Sequence, residues 1–261
     1  MKAYFSYWSN GYNKIDDHLL NQHKIATYLA KKHFKEVHLI TDSESAEVLK
    51  QFNFNSIDVA FDSLSSNYKN AWSISKVFAF KHICDKGDPF IHIDYDAFLW
   101  GPLPERLLKA EVFASHKEEN AYERYKISEF LEHCPEPYLL TGVVPAPIEA
   151  YNTGIIGGRN LDFFANYTQH VFDLVFNEKN NEILNFNSQD FGDPYPWRLA
   201  TIIEQYMLAV VSVFYDVTPE LLFQYWPSEK EVQAAQFTHL MTGKDYPDIK
   251  EKIEKIASAL K

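Results

Sequence analysis

Residues 89–100 read PFIHIDYDAFLW, and this stretch points to a sheet whose strand ends carry the chemistry. An apolar run leads into Asp94-Tyr95-Asp96, which predicts a buried strand that ends in two carboxylates. Because side chains alternate along a strand, Asp94 and Asp96 are expected on one side and Tyr95 on the other. Two carboxylates on one side offer hard oxygen ligands of the kind that Mg2+ or Mn2+ prefers.

Two other interpretations of these acids stay open at this point. Asp is common where a strand gives way to a loop, so the pair alone also fits a plain turn. A phosphatase-type DxD, with the first Asp as nucleophile and the second as general acid, is the other alternative. That class places its motif near the N-terminus and follows it with a small polar pair, whereas Ala97-Phe98 follow here.

The apolar spacing around the motif predicts alternating strands and helices. The predicted strands are 3–7, 37–41, 56–61 and 89–93, and the predicted helices are 16–34, 43–52 with Ser43 as its cap, 72–83, 118–132, 160–177, 197–213 and 250–260. This alternation predicts an α/β fold with a mostly parallel central sheet and flanking helices. Ligands of such sheets bind beyond the carboxyl ends of the strands, which is where Asp94 and Asp96 fall.

The composition limits the classes of partner. The 261 residues are 46% hydrophobic, which suits one large domain over 1–261. The net charge is -11 and the basic residues are scattered, which argues against a nucleic-acid partner. Cys84 and Cys134 lack a zinc-ligand spacing, and no run of about 18 apolar residues suggests a transmembrane segment. We therefore expect a soluble, cytoplasmic protein.

Three later segments follow the first motif in a recognisable order: Asn152-Thr153-Gly154, Glu204-Gln205, and the loop from His239 to Lys244. Together they resemble the A-type (GT-A) glycosyltransferases, especially the retaining family 8 group that includes glycogenin and bacterial lipopolysaccharide galactosyltransferases. The sequence departs from that group in two places. Glu204 stands where the group usually has Asp, and the spacing from His239 to Gly243-Lys244 differs from the usual His-x-x-Gly-x-x-Lys.

The resemblance implies a metal-dependent transfer of a sugar from a nucleotide-diphosphate sugar, first of all a UDP-sugar, to a glycan or other acceptor, with retention. It divides the chain into a nucleotide-binding half, 1–100, and an acceptor-side half, 101–261. It implies Mn2+ or Mg2+ as the cofactor, with Asp94, Asp96 and His239 as ligands. Gly243 and Lys244 are then expected at the diphosphate, because glycine lets the backbone approach and the ammonium adds a point charge.

The catalytic group is expected on the lower face of the sugar, where it would stabilise an oxocarbenium-like state. Gln205 is the first choice for this role and Glu204 the second, while the amide of Asn152 is expected to bind sugar hydroxyls. Each has an ordinary alternative. Glu204 and Gln205 fit a solvated stripe on a helix, Asn152 fits a turn before glycine, and His239 fits a satisfied structural histidine.

The remaining donor contacts are expected from the first half of the chain. Lys76, on the helix before the 89–93 strand, is expected to reach the donor together with Tyr95, although an ordinary exposed helix lysine is the alternative. Tyr7, Trp8 and Asn10 follow the first strand and are expected at the base and ribose, with core burial as the alternative for Trp8. A phosphatase or nucleotidyltransferase, and a nucleotide-sugar-binding protein without catalysis, remain alternatives for the whole chain.

Overall fold

The computed structural model of this protein describes residues 1–9, 15–137, 139–142, 148–185, 197–241 and 246–260. Its strands are β1 (Lys2–Tyr7), β2 (Val37–Thr41), β3 (Ser56–Val59), β4 (Phe90–Ile93), β5 (Ala97–Leu99), β6 (Val112–Glu118), β7 (Ala150–Gly158), β8 (Glu220–Leu221) and β9 (Phe237–His239). The four strands predicted from the sequence are therefore present, with β3 two residues shorter than expected.

Helices separate most of these strands. They are α1 (Asp17–His33), α2 (Ser43–Leu49), α3 (Ile74–Lys86), α4 (Glu105–Lys109), α5 (Ala121–Arg124), α6 (Ile127–Glu132), α7 (Leu139–Gly142), α8 (Leu161–Val175), α9 (Arg198–Thr201), α10 (Met207–Phe214), α11 (Glu229–Ala235) and α12 (Pro247–Ala259). A π-helical turn, Ile202–Tyr206, joins α9 to α10, so that 198–214 is one helical rod.

Two local predictions were wrong. The single helix expected over 118–132 is instead the end of β6 followed by α5 and α6, because Asn120 and Lys126 take left-handed backbone angles that interrupt a helix. The cap of α2 is Asp42 and not Ser43, since the Asp42 side chain accepts a hydrogen bond from the Ser45 backbone N–H.

The main sheet has the strand order β3-β2-β1-β4-β7-β6-β8. The first four strands are parallel, β7 runs antiparallel to β4 and β6, and β8 is parallel to β6. The predicted α/β fold with a mainly parallel sheet and flanking helices is confirmed. The reversal of β7 sets its first residues beside the carboxyl end of β4, where the Asp94 N–H donates to the Gly154 carbonyl at 3.0 Å.

Alternating side chains bury both faces of the sheet. Along β1, Tyr4 packs in the cluster that includes α3, α8 and α10, whereas Phe5 packs in the cluster that includes α1 and α12. Phe90 and Ile91 divide in the same way on β4. Burying a side chain of this size contributes about 1.5–3 kcal/mol, so the two clusters hold the strand ends rigidly in place.

A second, two-stranded sheet completes the frame of the site. In this sheet β5 pairs antiparallel with β9, and Ala97 lies opposite His239. The Leu240 N–H donates to the Asp96 carbonyl at 3.0 Å, which extends this pairing to the turn Asp94-Tyr95-Asp96, here called the DxD turn. These contacts hold His239 next to Asp96, although the two residues are 143 positions apart in sequence. No helix in the described part of the chain is long and apolar enough to cross a membrane.

Candidate functional site

Asp94, Asp96 and His239 come together at the carboxyl end of β4. The Asp96 Oδ1 atom lies 3.3 Å and the Asp94 Oδ2 atom 4.0 Å from the His239 Nε2 atom, and one ligand atom from each residue lies within 4.8 Å of the other two. Neighbouring ligands of one Mg2+ or Mn2+ ion lie about 3 Å apart and opposite ligands about 4 Å apart, as follows from metal–oxygen distances near 2.1 Å. The spacing and the donor atoms therefore fit a divalent cation.

A glycine makes room for the histidine of this cluster. Gly154 on β7 faces the His239 ring so closely that a Cβ atom added to it would overlap the ring atoms. The imidazole therefore lies directly against the β7 backbone, opposite the two carboxylates. The His239 Nδ1 atom is buried without a hydrogen-bond partner among the described residues. Close packing fixes the ring, which leaves the Nε2 atom facing Asp96.

Lys76 lies beneath the acids in a buried ion-pair network. Its side chain is 3% exposed, and its ammonium lies 2.7 Å from both the Asp94 Oδ1 and the Glu204 Oε1 atoms. It also donates to the Thr153 carbonyl at 2.7 Å, and the Thr153 hydroxyl donates to Glu204. The Lys76 ammonium thus joins three segments that are far apart in sequence. Its positive charge compensates the buried carboxylates, as a buried ion pair requires.

The charges in this network shift each other's pKa values. Burial raises the pKa of Asp94 to about 6 although the Lys76 ammonium opposes the shift, and repulsion by Glu204 and Asp96 adds to it. Burial alone would lower the pKa of Lys76, but the Asp94 and Glu204 carboxylates outweigh it and raise the pKa above its ordinary value. The site therefore holds more negative charge than Lys76 alone compensates, which favours the binding of a cation.

The π-helical turn carries Glu204 and Gln205 into the site. Such turns insert one extra residue into a helix and are frequent at functional sites, because they redirect side chains that a regular helix would turn away. Glu204 is 4% exposed and is engaged with Lys76 and Thr153, whereas Gln205 is half-buried. The Tyr125 hydroxyl donates to the Gln205 Oε1 atom at 3.0 Å, which orients the amide.

Asn152 and Glu118 form a second buried polar network. The Asn152 Nδ2 group donates to the Glu118 Oε1 atom at 2.9 Å, and the Asn152 Oδ1 atom accepts from the Gly154 N–H at 3.1 Å. Arg124 donates to the other Glu118 oxygen at 2.9 Å. Burial alone would raise the pKa of Glu118, but the neighbouring His116 ring and the Asn152 hydrogen bond, with Arg124, lower the pKa to about 2. Glu118 is therefore an anion at neutral pH.

Most of these side chains border one cavity of about 440 Å³. Its described lining consists of Ser6, Trp72, Lys76, Asp94, Tyr95, Asp96, Glu118, Arg124, Tyr125, Asn152, Trp197, Thr201, Glu204, Gln205, His239 and Met241. The Asp94, Asp96 and His239 cluster and the Gln205 amide share this space with aromatic rings, of which Tyr125 and Trp197 pack edge to face with centroids 6.1 Å apart. A cavity of this size, with several aromatic rings and a cluster of charged groups that converge on it, is typical of a small-molecule site.

Residues 1–258 match the profile of DUF6734, which is described as a family of unknown function. The chain belongs to this family. No curated protein matches the DUF6734 chain. Among solved structures, it is similar to the apo form of mouse xyloside xylosyltransferase 1, at 11% sequence identity and a TM-score of 0.48. That similarity covers 94% of this chain and 99% of the mouse chain.

Most site residues predicted from the sequence meet in the cavity of the DUF6734 chain. Those that line it are Lys76, Asp94, Tyr95, Asp96, Asn152, Glu204, Gln205 and His239. Lys76 is buried, so the alternative of an ordinary exposed helix lysine was wrong. The predicted roles of these residues in binding and catalysis stay predictions.

The burial of Tyr7 and Trp8 corrects the prediction that they contact the base and ribose of a donor. Both side chains are fully buried and pack in the two hydrophobic clusters, so neither offers a surface to a base or ribose. The reason is that Tyr7 still belongs to β1 and Trp8 follows it directly, so that both rings enter the core and do not line the cavity. The other predicted donor contacts, Asn10, Gly243 and Lys244, lie outside the described residues.

Several residues that line the cavity were not predicted from the sequence, above all Glu118, Trp72, Tyr125 and Trp197. Glu118 had only a weak signal, because the apolar residues Val112, Phe113 and Ala114 are followed by three polar residues before the acid. The three aromatic residues had none, since each lies at the edge of a helix and reaches the cavity only through tertiary packing.

Proposed function

We propose that this protein is a metal-dependent glycosyltransferase that moves a sugar from a nucleotide-diphosphate sugar, with UDP-sugars as the first candidates, to an acceptor hydroxyl. The carrying observation is the arrangement of one cavity: the Asp94, Asp96 and His239 cluster borders it together with Gln205, and both open onto the same 440 Å³. We further propose retention of the anomeric configuration.

The acidic cluster supports the donor half of the proposal. Asp94, Asp96 and His239 are the residues that would hold Mn2+ or Mg2+. When bound there, the cation supplies Lewis-acid stabilisation of the negative charge that builds up on the departing diphosphate. Lys76 keeps the Asp94 Oδ1 atom engaged at 2.7 Å, so that the Oδ2 atom is the one left facing His239. In a protein with a net charge of -11, a bound cation would also offset the overall repulsion of an anionic donor.

The helical rod supports the sugar half. Glu204 is held by the Lys76 ammonium and the Thr153 hydroxyl, so its charge is already compensated. The Gln205 carbonyl oxygen accepts one hydrogen bond, from Tyr125, and an amide oxygen has a second lone pair for positive charge on a sugar carbon. We therefore assign the stabilisation of the oxocarbenium-like state to Gln205, with Glu204 as the second candidate.

Calorimetric titration tests the donor half. UDP, GDP and their common sugar conjugates are titrated into the protein and into Asp96→Asn, with Mn2+ present or removed by chelation. The proposal expects one nucleotide diphosphate to bind only with Mn2+, and expects the variant to lose at least tenfold in affinity. The absence of nucleotide binding under every metal condition would overturn it and favour a phosphatase, which release of inorganic phosphate from sugar phosphates would reveal.

Turnover distinguishes transfer from binding alone. A donor that binds is incubated with Mn2+ and the released nucleotide is measured, because glycosyltransferases hydrolyse their donors slowly without an acceptor. Gln205→Ala is expected to lower this release at least a hundredfold while nucleotide affinity changes less than threefold, since an electrostatic contact made in the transition state is lost. Binding without any release in the unmodified protein would support the non-catalytic alternative.

A further inference from the structure

A second cavity, of about 90 Å³, lies beside the Asp94, Asp96 and His239 cluster. It shares His239 and Met241 with the main cavity, so the two cavities adjoin at these side chains. We refer to it as the Trp226 pocket, and its other walls include Ser115, His116, Phe223, Trp226 and Thr238. A molecule bound there would lie next to the site that we propose for the donor diphosphate and sugar.

The described lining of the Trp226 pocket lacks carboxylates and permanently cationic side chains. It contains no Asp, Glu, Lys or Arg, in contrast to the main cavity, which holds four acids and two bases. A phosphate or carboxylate group would find no lysine or arginine in the described lining, and a cation would find no carboxylate. The pocket therefore fits an uncharged ligand.

The mouth of the pocket carries an exposed aromatic ring. Trp226 is 61% exposed, which is unusual for so large an apolar side chain. Its ring packs edge to face against His116, with centroids 5.5 Å apart and an interplanar angle of 85°. The indole is thus held in place by a partner and still leaves much of its surface open to a ligand.

Polar groups lie next to this ring. His116 is 3% exposed, and its Nδ1 atom lies 3.0 Å from the Ser115 hydroxyl. Its Nε2 atom forms no hydrogen bond within the described part of the chain, and its nearest acidic atom, Glu118 Oε1, is 3.5 Å away. A buried ring nitrogen without a hydrogen bond is costly even beside an acid at 3.5 Å, and a ligand hydroxyl would supply that bond.

We infer that the Trp226 pocket binds a neutral sugar ring, and that this sugar is the acceptor, a role that rests on the proposed function. A pyranose has an apolar C–H face that can stack on Trp226 and hydroxyls that can bond His116 and Ser115. Its reacting hydroxyl lies past His239 and Met241, towards the donor. The hydroxyl oxygen bonds to the anomeric carbon, the bond from that carbon to the diphosphate oxygen breaks, and the hydroxyl proton leaves with the diphosphate.

Saturation-transfer NMR tests the inference. The probes are the methyl glycosides of glucose, galactose, mannose and xylose, added to the full chain with UDP and Mn2+ and without them. At least one glycoside is expected to bind, and Trp226→Ala is expected to weaken it about tenfold or more because the stacking surface is lost. Phe214→Ala is the control, since Phe214 is a 42% exposed aromatic residue outside both cavities, and it is expected to leave binding within twofold.

Two results would overturn the inference: no glycoside binds the unmodified protein, or Trp226→Ala binds as tightly as Phe214→Ala. Titration of UDP with Mn2+ into the same samples separates this failure from a failure of the proposed function. If UDP binds and no glycoside does, the pocket assignment fails and the donor site stands. If a glycoside binds through Trp226 and no nucleotide binds, sugar recognition by the pocket is supported and the transferase fails.

Discussion

At the scale of single residues, Lys76 connects the Asp94, Asp96 and His239 cluster to the helical rod over 198–214. Its ammonium is buried and touches both Asp94 and Glu204, so its removal leaves two carboxylates without their countercharge. Breaking a buried pair in this way costs about 3–5 kcal/mol, because the remaining charge stays desolvated. We expect Lys76→Met to lower the free energy of unfolding by an amount in that range, measured by urea denaturation.

The same helix offers the control for Lys76. Lys81 pairs with Asp85 on the exposed side of α3, where a salt bridge contributes about 0–1 kcal/mol, so Lys81→Met is expected to cost little. The double variant Lys76→Met with Glu204→Gln is expected to recover part of the loss, since one uncompensated carboxylate is gone. Equal stabilities of Lys76→Met and Lys81→Met would contradict the network.

Glu118 makes a pH-dependent contribution at the same scale. Its pKa is about 2 in the folded protein, below its ordinary value of 4.5, because His116, Asn152 and Arg124 stabilise the anion. Its contribution is therefore complete above pH 4.5 and is lost as the pH falls towards 2, and a shift of this size corresponds to about 3 kcal/mol. Urea denaturation at pH 7, 4 and 3 is expected to show the stability advantage over Glu118→Gln shrinking with pH; a constant difference would exclude this linkage.

At the scale of the element, β7 uses two glycines for two purposes. A methyl group on Gly154 would overlap the His239 ring, whereas one on Gly157 would overlap the Phe90 carbonyl of β4. Gly154→Ala is therefore expected to displace His239 and weaken Mn2+ binding about tenfold or more, with a smaller loss of stability. Gly157→Ala is expected to do the reverse, because it pushes two strands of the main sheet apart. Calorimetric Mn2+ titration and thermal unfolding of both variants check this pair, and identical effects would refute it.

The sequence predicted these elements well where local signals are strong. Hydrophobic periodicity placed β1, β2, β4 and α8 within a few residues, because each buries a regular apolar face. It did not predict that β7 runs against its neighbours, since strand direction depends on long connections. It also did not predict the π-helical turn at 202–206, whose one-residue insertion leaves no trace in a period of 3.6.

The same distinction between local signals and tertiary packing applies to the residues of the candidate site. Asp94 and Asp96 were predictable because a strand end places them, and His239 because a resembling family has a histidine there. Tyr125 and Trp197 reach the cavity through packing between distant segments, so no local pattern marks them. Lys76 was predicted as a donor contact, but its burial among Asp94 and Glu204 appears only once α3 lies against the sheet.

At the scale of the whole molecule, the charge balance links metal binding to stability. The chain carries a net charge of -11, and the cavity concentrates part of it in Asp94, Asp96, Glu118 and Glu204. Repulsion between Asp94 and Asp96 is one reason that the pKa of Asp94 is raised, so these acids disfavour the folded state when no cation compensates them. We therefore expect the acids of the candidate site to lower the stability of the folded state, and a bound cation to restore it.

This balance predicts a large response to Mn2+. At a free concentration of 100 times Kd, a ligand of the folded state adds about 2.7 kcal/mol, which for a domain of this size raises Tm by roughly 5 °C or more. We expect this shift in calorimetric unfolding at pH 8, and its reversal by a chelator. Asp96→Asn is expected to show no shift, and without metal to melt no lower than the unmodified protein, because it removes a charge that repels Asp94. Asp85→Asn, at an exposed acid of α3, is expected to keep the full shift. A shift of equal size in Asp96→Asn would place the metal elsewhere and leave the acids of the DxD turn without their proposed purpose.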